Sequence, residues 1–201
     1  MSSTVLYMSM SLDGFVAGPN ESPDNGLGDG GHRLHEWCLP GADDRDYEAA
    51  VGRLRGVNRQ IYDESMSTGA VVAGRGTFEP AGGWGGDHHD GVPIYILSRN
   101  PAPAWAADRP AVHYVSDLEA AVRDAKDAAG DKNVLVHGAG ITQRALTAGL
   151  LDELEIHLIP VLMGDGRRLF EHLGVAPREL ERISVLEGEG GVTHLRYRVR
   201  R

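Results

Sequence analysis

Apolar residues follow two rhythms along this chain. In the first two thirds they come in short runs closed by turn residues; in the last third they alternate with polar ones. Unbroken short runs suit strands buried on both faces, and alternation suits strands with one wet face. Residues 5–9 open the chain as a strand. Residues 70–73 form an apolar run between Gly69 and Gly74. Residues 94–97 form another, closed by Ser98, Arg99, Asn100 and Pro101, and 134–136 a third, closed by Gly138 and Gly140. Further on, Leu154, Ile156 and Leu158 alternate with Glu155 and His157. Thr193, Leu195, Tyr197 and Val199 alternate with His194, Arg196 and Arg198. These two segments read as a hairpin-like antiparallel pair.

Helical spacing lies between the runs. Over 47–66, Ala49, Ala50, Leu54, Val57, Ile61 and Tyr62 recur at helical intervals, while Gly52 and Gly56 predict a break into two pieces. Leu118, Ala121, Val122 and Ala125 make an apolar stripe, introduced by a Ser116–Glu119 capping-box pattern and ended by Gly130. Residues 141–150 make a short helix with Ala145 and Leu146 inward. Residues 18–44, rich in Gly, Pro, Asn and Asp, read as a long loop, a type that often carries function. The expected fold is α/β: a three-layer α/β/α sandwich on a central mixed, mostly parallel sheet that ends in antiparallel C-terminal strands.

Composition narrows the class. The 201 residues suit one domain over 1–201, and 41% hydrophobic with 24% charged residues is ordinary for a soluble protein. No run approaches the roughly 20 apolar residues that span a bilayer, and no signal peptide is read at the start. Cys38 is the sole cysteine, which fits a cytoplasmic setting. A net charge of −9 argues against a nucleic-acid partner, though not against a local basic pocket.

Three strand ends could form such a pocket. The 70–73 strand runs into Gly74, Arg75, Gly76 and Thr77; the 94–97 strand ends in Leu97, Ser98 and Arg99; the 134–136 strand leads to His137, Gly138, Ala139, Gly140, Ile141 and Thr142. Glycines let a ligand approach the backbone, helix starts favour anions, and guanidinium supplies a permanent charge with a planar set of donors. Each taken alone also reads as an ordinary turn. Together, at the carboxyl edge of one sheet, they fit a dinucleotide bearing an extra phosphate. The full three-glycine dehydrogenase fingerprint is absent.

These segments resemble the dihydrofolate-reductase-like superfamily, and within it the riboflavin-biosynthesis reductase (RibD C-terminal domain) type. The resemblance rests on Ser11-Leu12-Asp13-Gly14, Gly74-Arg75-Gly76-Thr77, Leu97-Ser98-Arg99 and Gly138-Ala139-Gly140. Its most specific parts are Leu151-Asp152-Glu153-Leu154, Ile159-Pro160-Val161-Leu162 and the stretch 164–170. It implies an NADPH-dependent reductase acting on a small heterocyclic or carbonyl-type substrate, pterin- or pyrimidine-like among them. It implies Val16 and Ala17 beside the nicotinamide, and Gly74, Arg75, Gly76 and Thr77 at the phosphates. Leu97, Ser98 and Arg99 then meet the adenosine ribose and its phosphate. Gly138, Ala139, Gly140, Ile141 and Thr142 line the pyrophosphate and nicotinamide side, with a cis peptide expected at Gly138–Ala139. A homodimer is implied as well.

The proton donor is less legible. Dihydrofolate reductases carry a carboxylate on the helix before the Gly-Arg turn; counting back from Gly74 puts Asn58 there and Tyr62 one turn later. An amide is no general acid. Asp63 and Glu64 are alternatives in a register shifted by one helical turn, though they read first as a solvated helix face. Asn58, Tyr62, Trp37 and His137 are the expected substrate pocket. No metal site is read: Asp87, His88, His89 and Asp90 lack a spaced third ligand and suit a solvated loop. Asp13-Gly14 reads as a turn. A non-catalytic NADP(H)-binding module, or a flavin- or deazaflavin-using reductase on the same fold, are the alternative functions.

Overall fold

In the computed structural model, residues 2–22, 24–39, 47–106, 108–174 and 176–200 are described. The chain runs β1 (Thr4–Ser11), β2 (Phe15–Ala17), α1 (Tyr47–Gly52), α2 (Gly56–Met66), β3 (Ala70–Gly74), α3 (Arg75–Phe78), β4 (Ile94–Leu97) and β5 (Val112–Val115). It continues through α4 (Leu118–Ala129), β6 (Val134–His137), α5 (Ala139–Thr147), β7 (Glu153–Ile159), β8 (Arg167–Arg168), β9 (Leu180–Glu187) and β10 (Thr193–Val199).

Among the described residues, eight strands make one sheet in the order β5-β4-β3-β6-β1-β7-β10-β9. The first six are parallel, so all their carboxyl ends lie along one edge. β10 runs antiparallel to β7 and β9 antiparallel to β10. Alternate residues of each strand feed opposite faces. Leu6, Met8, Val72, Val136 and Ile156 pack with Ala121 and Ala125 of α4 and Ile141 and Ala145 of α5. On the other face Val5, Tyr7, Val71, Leu135, Ile94 and Ile96 meet Phe78 of α3. Glu64 of α2 lies on that face too, ion-paired to Arg196 of β10 and near the Tyr7 hydroxyl. The result is the expected three layers.

Several details differ from the sequence reading. The helix cap is Asp117, whose carboxylate accepts from Ala120 N at 2.7 Å, so Ser116 lies outside the helix. The short parallel strand β5 was not anticipated; only four residues long and partly exposed, it has neither a clean run nor a clean alternation. β7 and β10 are antiparallel neighbours but not a hairpin: β10 turns back from β9 through Glu189–Gly191. β9 escaped notice because most of its side chains are exposed at the sheet edge. The Gly138–Ala139 cis peptide is not present; among the described residues no peptide bond is cis. The 47–66 segment does break between Gly52 and Gly56. Of the 18–44 loop, 23 and 40–44 lie outside the described residues; those described include a 3-10 turn, Gly31–Leu34, and an isolated bridge between Ser22 and Asn25.

Candidate active site

Two hollows flank the carboxyl edge. The first, about 350 Å³, lies at the ends of β3, β4 and β5 and is lined by Arg75, Leu97, Ser98, Arg99, Asn100, Ser116 and Arg144. Three guanidiniums face it and no carboxylate is among its described lining. Arg75 is also braced by Glu79, Nε to Oε1 at 2.8 Å, and reaches Pro101 O at 3.4 Å. Glu79 in turn accepts from the Tyr114 hydroxyl at 3.0 Å. The Ser98 hydroxyl donates to Asn100 O at 2.8 Å and accepts from Asn100 N at 3.1 Å, which shapes the turn that presents Arg99. Arg144 and Ser116 were missed by the sequence reading. Arg144 sits inside α5, far along the chain from the strand ends it joins.

Between the hollows the glycine turns of β3 and β6 lie side by side, because these strands are neighbours. Gly138 has φ of +109°, and a Cβ there would come within 2.2 Å of Thr77 Oγ1. Only glycine meets both demands. The turns after β3 and β6 are therefore locked together, with Thr77 seated on Gly138. Gly74 and Gly140 face open space. Thr142 turns its hydroxyl to Gly138 O at 2.7 Å, and Ala139 and Ile141 are buried in the α4–α5 core. Val16 packs into the same core, and Ala17 is buried beside it in β2.

The second hollow, about 840 Å³, opens near the end of β7. Its described lining includes His32, Arg33, His35, Trp37, Leu54, Arg55, Asn58, Ile159, Glu189 and Val192, and the volume suits a small organic molecule. Asn58 is buried and fully engaged. Its amide donates to Trp37 O at 3.2 Å and Glu189 O at 3.1 Å, and its oxygen meets His194 Nε2 at 3.1 Å. Trp37 donates from Nε1 to Ser9 Oγ at 2.8 Å and lays its ring 4.4 Å from His157 and 4.9 Å from His194. Burial pulls His137 and His194 down to about 4 and depresses His35 and His157 as well, so these rings are neutral at pH 7. His35 Nδ1 is buried and, among the described residues, has no hydrogen-bond partner.

Residues 3–193 match the RibD C-terminal domain family across nearly the full length. The chain belongs to that family. RibD C-terminal homologues are reductases, which supports an oxidoreductase. No curated protein matches the chain. Solved structures share its fold. A putative riboflavin biosynthesis protein from Shewanella sp. PV-4 is 21% identical, with a TM-score of 0.71 and 99% of each chain covered. A pyrimidine reductase-like protein from Corynebacterium diphtheriae is 14% identical at TM-score 0.65, with 100% of this chain and 92% of that one covered. Acinetobacter baumannii RibD is 16% identical at TM-score 0.63; all of this chain matches, over 58% of that protein.

In this RibD-type chain the remaining expected residues fall in distinct places. Of the expected substrate pocket, Trp37 and Asn58 line the second hollow. His137 sits beneath Trp84 with its Nδ1 3.1 Å from Tyr7 O, and Tyr62 is on α2 outside the described lining. Asp63 is an exposed partner of Arg59 at 2.7 Å. Glu64 is not a solvated side chain: it points to the sheet and pairs with Arg196. His88 and His89 are not simply solvated either. His88 packs edge-on to Trp84, its Nδ1 2.7 Å from that of His89, and burial lowers its pKa to about 3. Asp13 is a turn residue, as read. It accepts from Ser11 Oγ at 2.6 Å and from the backbone N–H of Met163 and Gly164, bonds that hold its carboxyl down at about 2. Burial pushes the Cys38 thiol up to about 12, so it is no nucleophile at neutral pH.

One further grouping was invisible in the sequence. Glu155, His157 and His194 converge with their ligand-type atoms within 4.8 Å of one another, all three buried. Residues 157 and 194 are cross-strand partners of β7 and β10. Only the sheet register brings them together.

Proposed function

We propose that the chain is one NADPH-dependent reductase domain that passes a hydride to a small heterocyclic or carbonyl-type molecule held in the second hollow. The observation that carries this reading is the first hollow, where Arg75, Arg99 and Arg144 converge with Ser98 and Ser116 at the strand ends. A cluster of guanidiniums without a lining carboxylate suits the phosphate that distinguishes NADPH from NADH. Among solved structures of the same fold, one is described as a riboflavin biosynthesis protein and one as pyrimidine reductase-like, which favours a ring substrate.

The division of labour follows from position. Arg75, Arg99 and Arg144 would hold the ribose phosphate, and the locked Gly138–Thr77 junction the pyrophosphate. From β4 to β7 the edge spans four strand spacings, roughly 19 Å, a distance suited to an extended dinucleotide. NADPH, when bound, supplies the hydride; the protein supplies alignment. Trp37 offers an apolar wall, and the unsatisfied His35 Nδ1 offers a hydrogen-bonding point for a polar ring atom. Asn58 has no free valence for proton transfer, so solvent reaching the hollow is the proton source.

NADPH should bind at least ~10-fold more tightly than NADH, from the loss of one charge-assisted contact or more. Arg99→Ala and Arg144→Ala should each erode that ratio by about 10-fold while leaving NADH binding in place. Equal affinity for the two cofactors in the unaltered protein defeats the reading. The saturated Asn58 amide favours one rival, a binding module without turnover. Stopped-flow loss of NADPH absorbance with pterins, pyrimidines and quinones separates the two. The β9 edge, with Leu180, Ile183 and Val185 exposed, supports a homodimer; sedimentation equilibrium checks it.

A further inference from the structure

We propose that Glu155, His157 and His194 bind one divalent cation of borderline softness, with Zn²⁺ as the type, in the layer between the sheet and α2. The site is separate from the cofactor crevice and does not depend on the reductase reading.

Sheet register builds it. Glu155 and His157 are two residues apart on β7 and so project to one face; His194 stands directly across from His157 on β10. Two imidazoles and a carboxylate on a rigid antiparallel ladder are a usual ligand set for Zn²⁺. The two Nδ1 atoms are 3.0 Å apart, where a tetrahedral ion with Zn–N bonds of about 2.1 Å needs about 3.4 Å. A few tenths of an ångström of ring movement accommodates it. All the ligand-type atoms already lie within 4.8 Å.

The outer groups set the tautomer. Asn58 spends its amide N–H groups on Trp37 O and Glu189 O, so its oxygen faces His194 Nε2. That nitrogen therefore carries the hydrogen, and Nδ1 of His194 presents a lone pair inward. Such support of the non-ligating nitrogen is what metal-binding histidines commonly receive. His157 then donates from Nδ1 to His194; on cation binding that proton is displaced, to Nε2 or to solvent, and both Nδ1 lone pairs point at the ion. Gly188 makes the approach possible, since a Cβ there would fall 2.0 Å from Asn58 Oδ1 and 2.7 Å from His194 Nε2.

Glu155 is the second, independent observation. It is 2% exposed, and the nearest cationic group among the described residues, Arg196 Nε, stands 3.8 Å away. That guanidinium is already bonded to Glu153 at 2.8 Å and to Glu64. Three carboxylates thus crowd Arg196; of these Arg198 reaches Glu153 alone, at 3.9 Å, and it pairs with Glu181 at 3.5 Å. A buried carboxylate left this way must hold a proton or meet a cation. Two neutral imidazoles beside it favour the cation. Trp37 roofs the pair, which closes the site to bulk solvent and links it to the wall of the second hollow.

The test uses tag-free, full-length protein stripped with a chelator, then loaded with Zn²⁺ or Co²⁺ and desalted. Elemental analysis should find about one equivalent of Zn²⁺, and the Co²⁺ form should show visible bands of a low-symmetry four- or five-coordinate site. Zn²⁺ should raise the Tm of the unaltered protein. Glu155→Gln, close in shape to the native residue, should weaken Zn²⁺ binding at least ~100-fold and abolish the Tm rise, and His194→Asn should do the same. His88→Ala should change neither. Retention of less than a tenth of an equivalent by the unaltered protein overturns the proposal. So does wild-type affinity in Glu155→Gln, or loss of the ion in His88→Ala instead.

Discussion

The two hollows at the carboxyl edge are built in opposite ways. The crevice beyond β3, β4 and β5 is open and basic. Its side chains hang from strand ends and from the helices α3 and α5. The hollow beyond β7 is backed by buried polar residues. Trp37, Asn58, His157, His194 and Glu189 bond or stack on one another across loop, helix and two strands. An exposed group can be chosen for its ligand at little cost to stability, because water satisfies it when the ligand is absent. A buried polar group must be satisfied internally, so its role in the site and its role in the fold are tied.

That contrast can be broken most directly at Asn58. Asn58→Ala leaves two carbonyls and one imidazole without partners and should cost about 3–5 kcal/mol in urea unfolding. Arg99→Ala, exposed at the other hollow, should stay within ~0.5 kcal/mol. Comparable losses at both positions would erase the distinction.

The pH dependence comes next. In the metal-free protein His137 and His194 have folded values of about 4 against an ordinary 6.5. As pH falls from 6.5 to 4 the unfolded chain takes protons that the folded chain refuses, so stability drops, by on the order of 3 kcal/mol per ring. Glu155, raised by burial to about 7, acts oppositely: its contribution is present below about 4.5 and lost as pH climbs to 7. Two rings outweigh one carboxylate, so the net change is a loss toward acid. His137→Asn should flatten that limb, and an unfolding free energy equal at pH 7 and pH 4.5 would count against buried neutral rings.

Gly138→Ala tests the junction between the hollows. Positive φ and the collision with Thr77 predict a loss of about 1–3 kcal/mol, with weaker NADPH binding. If Thr77→Ala in the same chain restores only part of the stability, backbone strain is the larger share. Smallest is Asp63→Asn, which removes one exposed ion pair with Arg59. It should change stability by less than ~0.5 kcal/mol and leave any NADPH oxidation unaltered; a large fall in turnover would return Asp63 to the catalytic candidates.

Much of the crevice was legible because a strand end and the turn after it are contiguous in sequence. Gly74 to Thr77, Leu97 to Arg99 and Gly138 to Thr142 each announce themselves within a few residues, and parallel topology then aligns them. Thr142 shows the limit. The family resemblance sets it along the pyrophosphate and nicotinamide side, while its hydroxyl bonds to Gly138 O within the helix start. Ser116 shows another. It was read as a cap, but Asp117 takes that place one residue later, and Ser116 lines the crevice.

By itself the sequence determined much of the run of elements, among them β1, β3, β4 and β6 of the parallel core and the inward stripe of α4, because hydrophobic period and turn chemistry are local properties. It also carried the motifs that match the RibD C-terminal domain family. The tertiary structure decided where β9 and β5 sit at the two edges, and that Arg144 completes the basic crevice. It also decided that Asn58 is a clamp, and that Glu155 meets both His157 and His194, which are 37 residues apart. Those outcomes depend on strand order and register, and a contact across a sheet leaves no local pattern in the chain that folds to make it.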